Sequence, residues 1–205
     1  MATTTPNYGW PVPTSTDLVK DGATAIEALG DAIDATVFAL PGAGLVKINT
    51  TTFSAVSSQS INDVFSATYN NYLIHMAIDG STTQTDVNFR LRVASADNSS
   101  ANYARSLLNQ SSTTLTGQLL TGQTSWLSVA FAISTQRQYS QLNVFNPFAT
   151  QYTAGISDLI ELPNTALAQS RRTYGTTITT SYTGFTLIAA AGTMTGTVSV
   201  YGYKI

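Results

Sequence analysis

The sequence predicts a mainly β protein: an antiparallel, jelly-roll-like β-sandwich preceded by an extended N-terminal arm and one short helix. The chain is rich in Thr and Ser but poor in Glu and Lys, and the β-branched side chain of threonine suits strands better than helices. After residue 44, several segments alternate apolar and polar residues and are separated by turn residues, as antiparallel strands do. A seven-residue spacing of apolar side chains before Pro41 predicts the helix.

Composition excludes several classes of protein. Of the 205 residues, 43% are hydrophobic and only 10% are charged, against about 25% charged in an average domain; such a chain collapses into a core. A net charge of −2 with nine basic residues argues against nucleic-acid binding. No run approaches the ~20 apolar residues of a membrane span, so membrane insertion is not expected. The N-terminus lacks the features of a secretion signal.

Catalysis is not expected either. The single histidine, His75, stands in a strand-like run, and triads or two-histidine zinc sites need more partners than it has. Glu27 and Glu161 lie in different segments, without an evident acid and base pair. Cysteine is absent, and turns such as the one at Asp97 offer too few oxygen donors for calcium. We therefore predict no catalytic residue, cofactor or metal.

Residues 1–15 are predicted to form an extended attachment arm. Three prolines remove backbone donors and favour extended backbone. Two aromatic side chains in the same segment have no local core to bury them, which favours docking onto another protein. The alternative is that the segment folds back on its own domain. The residues predicted to attach are Tyr8, Trp10, Pro11 and Pro13.

Residues 16–41 are predicted to form a trimerising helix. Thr16 is a suitable N-cap, and Pro41 cannot continue a helix. With two internal glycines, a helix of this length is marginal alone, which favours self-association. The alternative is an amphipathic helix that lies on a globular domain. The heptad positions predicted to mediate oligomerisation are Val19, Ile26, Leu29, Ile33 and Leu40.

Residues 44–205 are predicted to form the β-sandwich head domain. Three strand-like segments each give one apolar face; these faces are Tyr72, Ile74, Met76 and Ile78, then Val87, Phe89, Leu91 and Val93, then Leu127, Val129, Phe131 and Ile133. Side chains on the opposite faces are predicted to lie at a subunit interface or to face a receptor. These are His75, Arg90, Arg92 and Trp126.

The N-terminal sequence resembles that of tailed-bacteriophage tail fibre and minor tail proteins, in which a PxPxxTDxVxDGAxxIxxLAxxID pattern precedes a short coiled coil. The resemblance is carried by residues 8–13, 17–23 and 26–34. Residues 44–48 and 61–74 resemble the opening of phage fibre β domains, and residues 196–202 resemble their closing strand.

This resemblance implies a structural virion protein, assembled in the host cytoplasm as a short homotrimeric fibre. The arm would join it to a protein of the tail, tail tip or capsid, and the β domain would face a host-surface glycan. Two alternatives are a capsid-mounted head fibre or decoration protein, and a stand-alone carbohydrate-binding module. A polysaccharide-cleaving spike would need paired carboxylates, which are scarce here. The aromatic candidates for stacking on sugar rings are Tyr103, Trp126, Tyr139 and Tyr152.

Overall fold

The chain divides into two compact units, Met1–Ala43 and Gly44–Ile205, which we describe separately. The computed structural model describes residues 3–16, 18–39, 44–111, 113–134, 136–161 and 168–204. Leu40, assigned above to the oligomerisation heptad, and Pro41, the predicted helix terminator, lie outside the described residues.

The N-terminal unit is a hairpin followed by a helix. Strands β1 (Thr3–Thr4) and β2 (Pro11–Val12) pair antiparallel, so the segment predicted as an extended arm doubles back on itself. A 3-10 helix, Val19–Asp21, leads into α1, Gly22–Ala39. The predicted N-cap at Thr16 is wrong, because the helical segment begins at Val19 and Leu18 occupies the N-cap position.

The second unit is built from strands β3 to β15. Their bounds are β3 Gly44–Val56, β4 Ser58–Ile61, β5 Asn71–Ser81, β6 Thr85–Val93, β7 Ala96–Asp97, β8 Tyr103–Ser111, β9 Thr114–Gln123, β10 Trp126–Ala132, β11 Gln138–Phe145, β12 Ala154–Glu161, β13 Ala168–Thr176, β14 Gly184–Ala189 and β15 Met194–Lys204. Every pairing between them is antiparallel.

The strands form two sheets. The larger has the order β3-β15-β5-β11-β12-β13-β8-β9, and the smaller has the order β10-β6-β14-β4, with β7 paired to β6. Within them, the eight strands β3, β4, β5, β6, β10, β11, β14 and β15 follow the strand order of a jelly roll: β3-β15-β5-β11 in one sheet and β4-β14-β6-β10 in the other. The predicted antiparallel β-sandwich is confirmed.

Two insertions enlarge this jelly roll. Strands β8 and β9 are inserted between β6 and β10 along the chain, and β12 and β13 are inserted between β11 and β14. All four add to the larger sheet beyond β11, in the order β12-β13-β8-β9. We call these four strands the extension. The extension makes the larger sheet wider than its partner, so its far edge has less apolar surface to pack against.

The core follows from strand alternation. The inward residues of β5, which are Tyr72, Ile74, Met76 and Ile78, are all at most 1% exposed. On β6, Val87, Phe89 and Leu91 are fully buried, whereas Val93 at the strand's end is exposed. Because successive strand side chains point to opposite faces, the predicted faces of both strands are correct apart from that terminal residue.

The predicted outward position of Trp126 on β10 is wrong, since its side chain is fully buried. Ser128 has a positive φ of 59°, and the pairing of β10 with β6 shifts register between Trp126 and Ala130. The shift amounts to two residues, because Trp126 pairs with Phe89 and Ala130 pairs with Val87, so residues of the same parity face the core on both sides of it. Trp126, Ala130 and Ala132 are buried, whereas Leu127 and Phe131, predicted to face the core, are only half-buried.

Candidate functional site

The N-terminal hairpin is bonded to the helix of its own unit. The indole Nε1–H of Trp10 donates a hydrogen bond to Thr36 Oγ1 at 2.9 Å, and that hydroxyl donates to the Ala32 carbonyl at 2.8 Å. The ring of Tyr8 stacks on that of Trp10, with centroids 5.2 Å apart. The hairpin therefore folds back along α1, as in the alternative considered for the arm.

The four predicted attachment residues have different exposures. Trp10, Pro11 and Pro13 are half-buried, whereas Tyr8 is 59% exposed. The two prolines line a hollow of about 370 Å³ together with Asp21, Thr24, Ala25 and Ala28 of the helical segment. The exposed tyrosine ring and this hollow are the parts of the hairpin accessible to another protein.

The predicted oligomerisation positions divide into two groups. Val19 is 97% exposed and Ile26 is 65% exposed, whereas Leu29 and Ile33 are half-buried. Val37, which was not singled out from the sequence, is 57% exposed and lies about three turns beyond Ile26 on the same face. An apolar stripe of the helical segment thus remains uncovered within its own unit.

Arg90 and Arg92 lie on the outer face of the smaller sheet and are both half-buried. Arg92 forms an ion pair with Asp97 and donates to Thr186 Oγ1 at 2.7 Å and to Asn62 Oδ1 at 2.9 Å. Arg90 lies 3.6 Å from the same carboxylate. Much of the hydrogen-bonding capacity of Arg92 is therefore used within the sheet, and an intersubunit role for either arginine remains a prediction.

His75 lies on the outer face of the larger sheet, in a shallow hollow of about 250 Å³. Its lining consists of His75, Tyr139, Ser140, Gln141 and Asp158. His75 is directly opposite Gln141 of β11, which is in turn opposite Asp158 of β12. Gln141 and Asp158 were missed in the sequence, because alternation gives a residue's face but not its neighbour on the next strand.

Two of the four aromatic candidates for sugar stacking lie in the core, so those two predictions are wrong. Trp126 and Tyr103 are both fully buried, and the hydroxyl of Tyr103 donates to the Asn98 carbonyl at 2.8 Å. By contrast, Tyr139 is 55% exposed and Tyr152 is 64% exposed. Of these two, Tyr139 lines the hollow described above.

The far edge of the extension exposes leucines that sequence analysis did not identify. On β9, Leu115 and Leu119 are 63% and 70% exposed, and Leu108 of β8 is 52% exposed. All three lie on the outer face, because Leu108 pairs opposite Gly117 and the strands alternate. The available signal was the run Thr114–Gln123, which contains no charged residue.

The inner face of the extension contains a buried cation. Arg105 is 7% exposed and donates to Ser128 Oγ at 3.1 Å and to Gln118 Oε1 at 2.5 Å. Burial lowers the pKa of its guanidinium, and the nearby charge of Arg172 lowers it further. Burial also raises the pKa of Tyr174, on the adjacent strand, to about 12. These groups lie inside the sandwich, where their hydrogen bonds contribute to its structure.

The described residues contain neither a metal-binding cluster nor a membrane-spanning helix. No three His, Asp or Glu side chains there lie close enough to hold a metal ion, and no helix in that part of the chain is long and apolar enough to cross a membrane. No protein-family model, curated protein or solved structure matches the chain.

Proposed function

We propose that the protein is a structural component of a tailed-bacteriophage virion, a short homotrimeric fibre. The N-terminal unit brings three chains together and joins them to the particle, and the jelly-roll domain projects outward. The proposal is supported by the uncovered apolar stripe of α1 and by the resemblance of the N-terminal sequence to phage fibre segments.

The exposed stripe of α1 is the observation that carries the proposal. Ile26 and Val37 of α1, and Val19 of the 3-10 helix that leads into it, are all more than half exposed, and burying one such side chain stabilises a protein by roughly 1.5–3 kcal/mol. Apolar residues repeating about every seven positions along a helix are buried when several helices wind together. Two further copies of α1 would cover the stripe and stabilise a helix that is marginal by itself.

The hairpin supports attachment to another virion protein. The Tyr8 ring is exposed, and the hollow beside Pro11 and Pro13 is lined by the small side chains Ala25 and Ala28. A rigid aromatic ring beside an apolar hollow suits the docking of a protein segment. The bond from Trp10 to Thr36 restrains this surface before binding, which lowers the entropy cost of association.

The experiment is to measure the mass of the purified chain by light scattering at several concentrations. We expect a mass three times that of the 21.7 kDa chain. A monomer throughout would contradict the proposal. Immunogold labelling of particles then distinguishes a tail location from a head fibre or decoration protein on the capsid.

A further inference from the structure

We propose that the hollow on the outer face of the larger sheet binds a neutral saccharide of about two pyranose units. The site consists of His75, Tyr139, Gln141 and Asp158. This inference rests on the proposed function and deepens it, because it names the chemical class that the outward domain recognises and the residues that do so.

The aromatic wall of the hollow is partly immobilised. Arg137, two residues before Tyr139, forms an ion pair with Asp79. The imidazole of His75 lies 6.4 Å from the Tyr139 ring, with 27° between their planes, and restricts the ring on that side. The Tyr139 ring nevertheless remains 55% exposed. A restrained, exposed ring offers an apolar surface with little entropy to lose on binding, which suits the C–H face of a sugar.

The polar groups lie in one row across three strands. His75 pairs opposite Gln141, and Gln141 pairs opposite Asp158. Because neighbouring strands lie about 4.8 Å apart, the row extends about 10 Å across the sheet. Tyr139 lies two residues before Gln141 on β11, which makes it a diagonal neighbour of Asp158 at about 7–8 Å. One sugar ring can therefore lie against Tyr139 and a second, linked ring beside Asp158. The amide and the carboxylate supply both donors and acceptors for sugar hydroxyls.

The charge of the lining favours a neutral sugar. Among the described lining residues there is one carboxylate, Asp158, and no lysine or arginine. Arg171 stands next to this carboxylate at 3.8 Å, so its charge is partly compensated already. The other cation near the hollow, Arg137, is paired with Asp79, so an acidic saccharide would meet Asp158 and two arginines that already have carboxylate partners. A hydroxyl group can instead donate directly to the exposed carboxylate.

The test uses saturation-transfer NMR on the full-length chain with five probes: maltose, lactose, mannobiose, methyl rhamnoside and N,N′-diacetylchitobiose. We expect at least one probe to bind saturably, and its affinity to fall at least tenfold in both Tyr139→Ala and Asp158→Asn. Tyr152→Ala is the matched control, because Tyr152 is a similarly exposed tyrosine outside the hollow. It should bind as the unchanged chain does.

The proposal is overturned if none of the five probes binds, if Tyr139→Ala binds normally, or if 3′-sialyllactose binds more tightly than lactose. The molar mass of each sample is also measured by light scattering. Loss of binding in a chain that is still trimeric concerns only this site, whereas a monomeric chain contradicts the proposed fibre.

Discussion

Gly155 of β12 lies against the indole ring of Trp126. A Cβ built on Gly155 would stand 3.1 Å from Cζ3 of Trp126 and 3.1 Å from the Asn143 carbonyl oxygen, closer than side chains normally approach. The same indole stacks on Phe89 of the smaller sheet at 5.4 Å and on Tyr174 of the extension at 5.3 Å. Trp126 therefore joins the extension to the jelly roll, and Gly155 provides the space for it.

Gly155→Ala should destabilise the β domain by about 1–3 kcal/mol, the usual cost of overpacking a core. Denaturant unfolding followed by circular dichroism measures this change. Gly175→Ala is the matched control, because no atom lies within 4 Å of a Cβ at that position on the neighbouring strand. Equal stabilities for the two variants would mean that the indole is free to move away.

Ile26→Asp combined with Ile33→Asp should convert the proposed trimer into monomers, because each change places a carboxylate in the proposed seam between the helices. The β domain has its own core and should keep its unfolding transition. Light scattering and circular dichroism report the two properties separately.

Phe38→Asp is the control for this double variant. Phe38 is 90% exposed and, at about 100° per residue, points about 140° away from Ile33 around the helix. The Phe38 variant should remain trimeric. If it dissociates while the double variant stays assembled, the seam lies on the other side of the helix.

Thr36→Val should release the hairpin from α1, because it removes the acceptor of the Trp10 Nε1–H while keeping the shape of the side chain. One such bond contributes about 0.5–1.5 kcal/mol. The chain has two tryptophans, so its spectrum of ¹⁵N-labelled protein contains two indole signals. We expect the Trp10 signal to shift and to exchange faster with solvent.

The signal of Trp126, whose Nε1–H donates to the Gly175 carbonyl at 3.1 Å, serves as the internal reference for this measurement. Thr36→Ser keeps a hydroxyl and should restore the unchanged spectrum. Unaltered exchange of the Trp10 indole in Thr36→Val would show that stacking on Tyr8 alone holds the hairpin.

The β domain should lose stability in alkali. Burial raises the pKa of Tyr174 from 10.0 to about 12, so the unfolded chain ionises this phenol at lower pH than the folded chain does. The stabilisation that this phenol gives the folded state is complete below pH 10 and is lost as the pH rises from 10 towards 12. Burial raises the pKa of Tyr72, Tyr103 and Tyr182 in the same direction.

Tyr174→Phe isolates the contribution of one phenol to the loss of stability in alkali. Urea unfolding at about pH 9, 10 and 11 should give a shallower loss of stability in this variant than in the unchanged chain. The variant has a lower free energy of unfolding before the phenol ionises, because it lacks the hydrogen bonds of Tyr174 to Ser157 and Ser128. Parallel pH profiles for the two proteins would contradict the assignment.

The candidate saccharide site was visible in the sequence only in part. From the sequence, Tyr139 could be named as an aromatic candidate and His75 as an outward side chain. The alternation within a single strand is enough to assign each of them. Gln141 and Asp158 join them through the pairing of β5 with β11 and of β11 with β12. Register between strands depends on turns and distant contacts, so no local pattern brings these four residues together.

Local chemistry was enough to identify the β class, the helix and the inward faces of β5 and β6, because alternation and heptad spacing repeat over a few residues. Three features needed the tertiary structure. Pairing of β10 with β6 places Trp126 opposite Phe89 and buries it; the hairpin folds back because Trp10 hydrogen-bonds Thr36, 26 residues away; and the extension adds two insertions, distant in sequence, to one sheet. Each depends on hydrogen bonds between residues far apart along the chain, whose partners a local pattern does not specify.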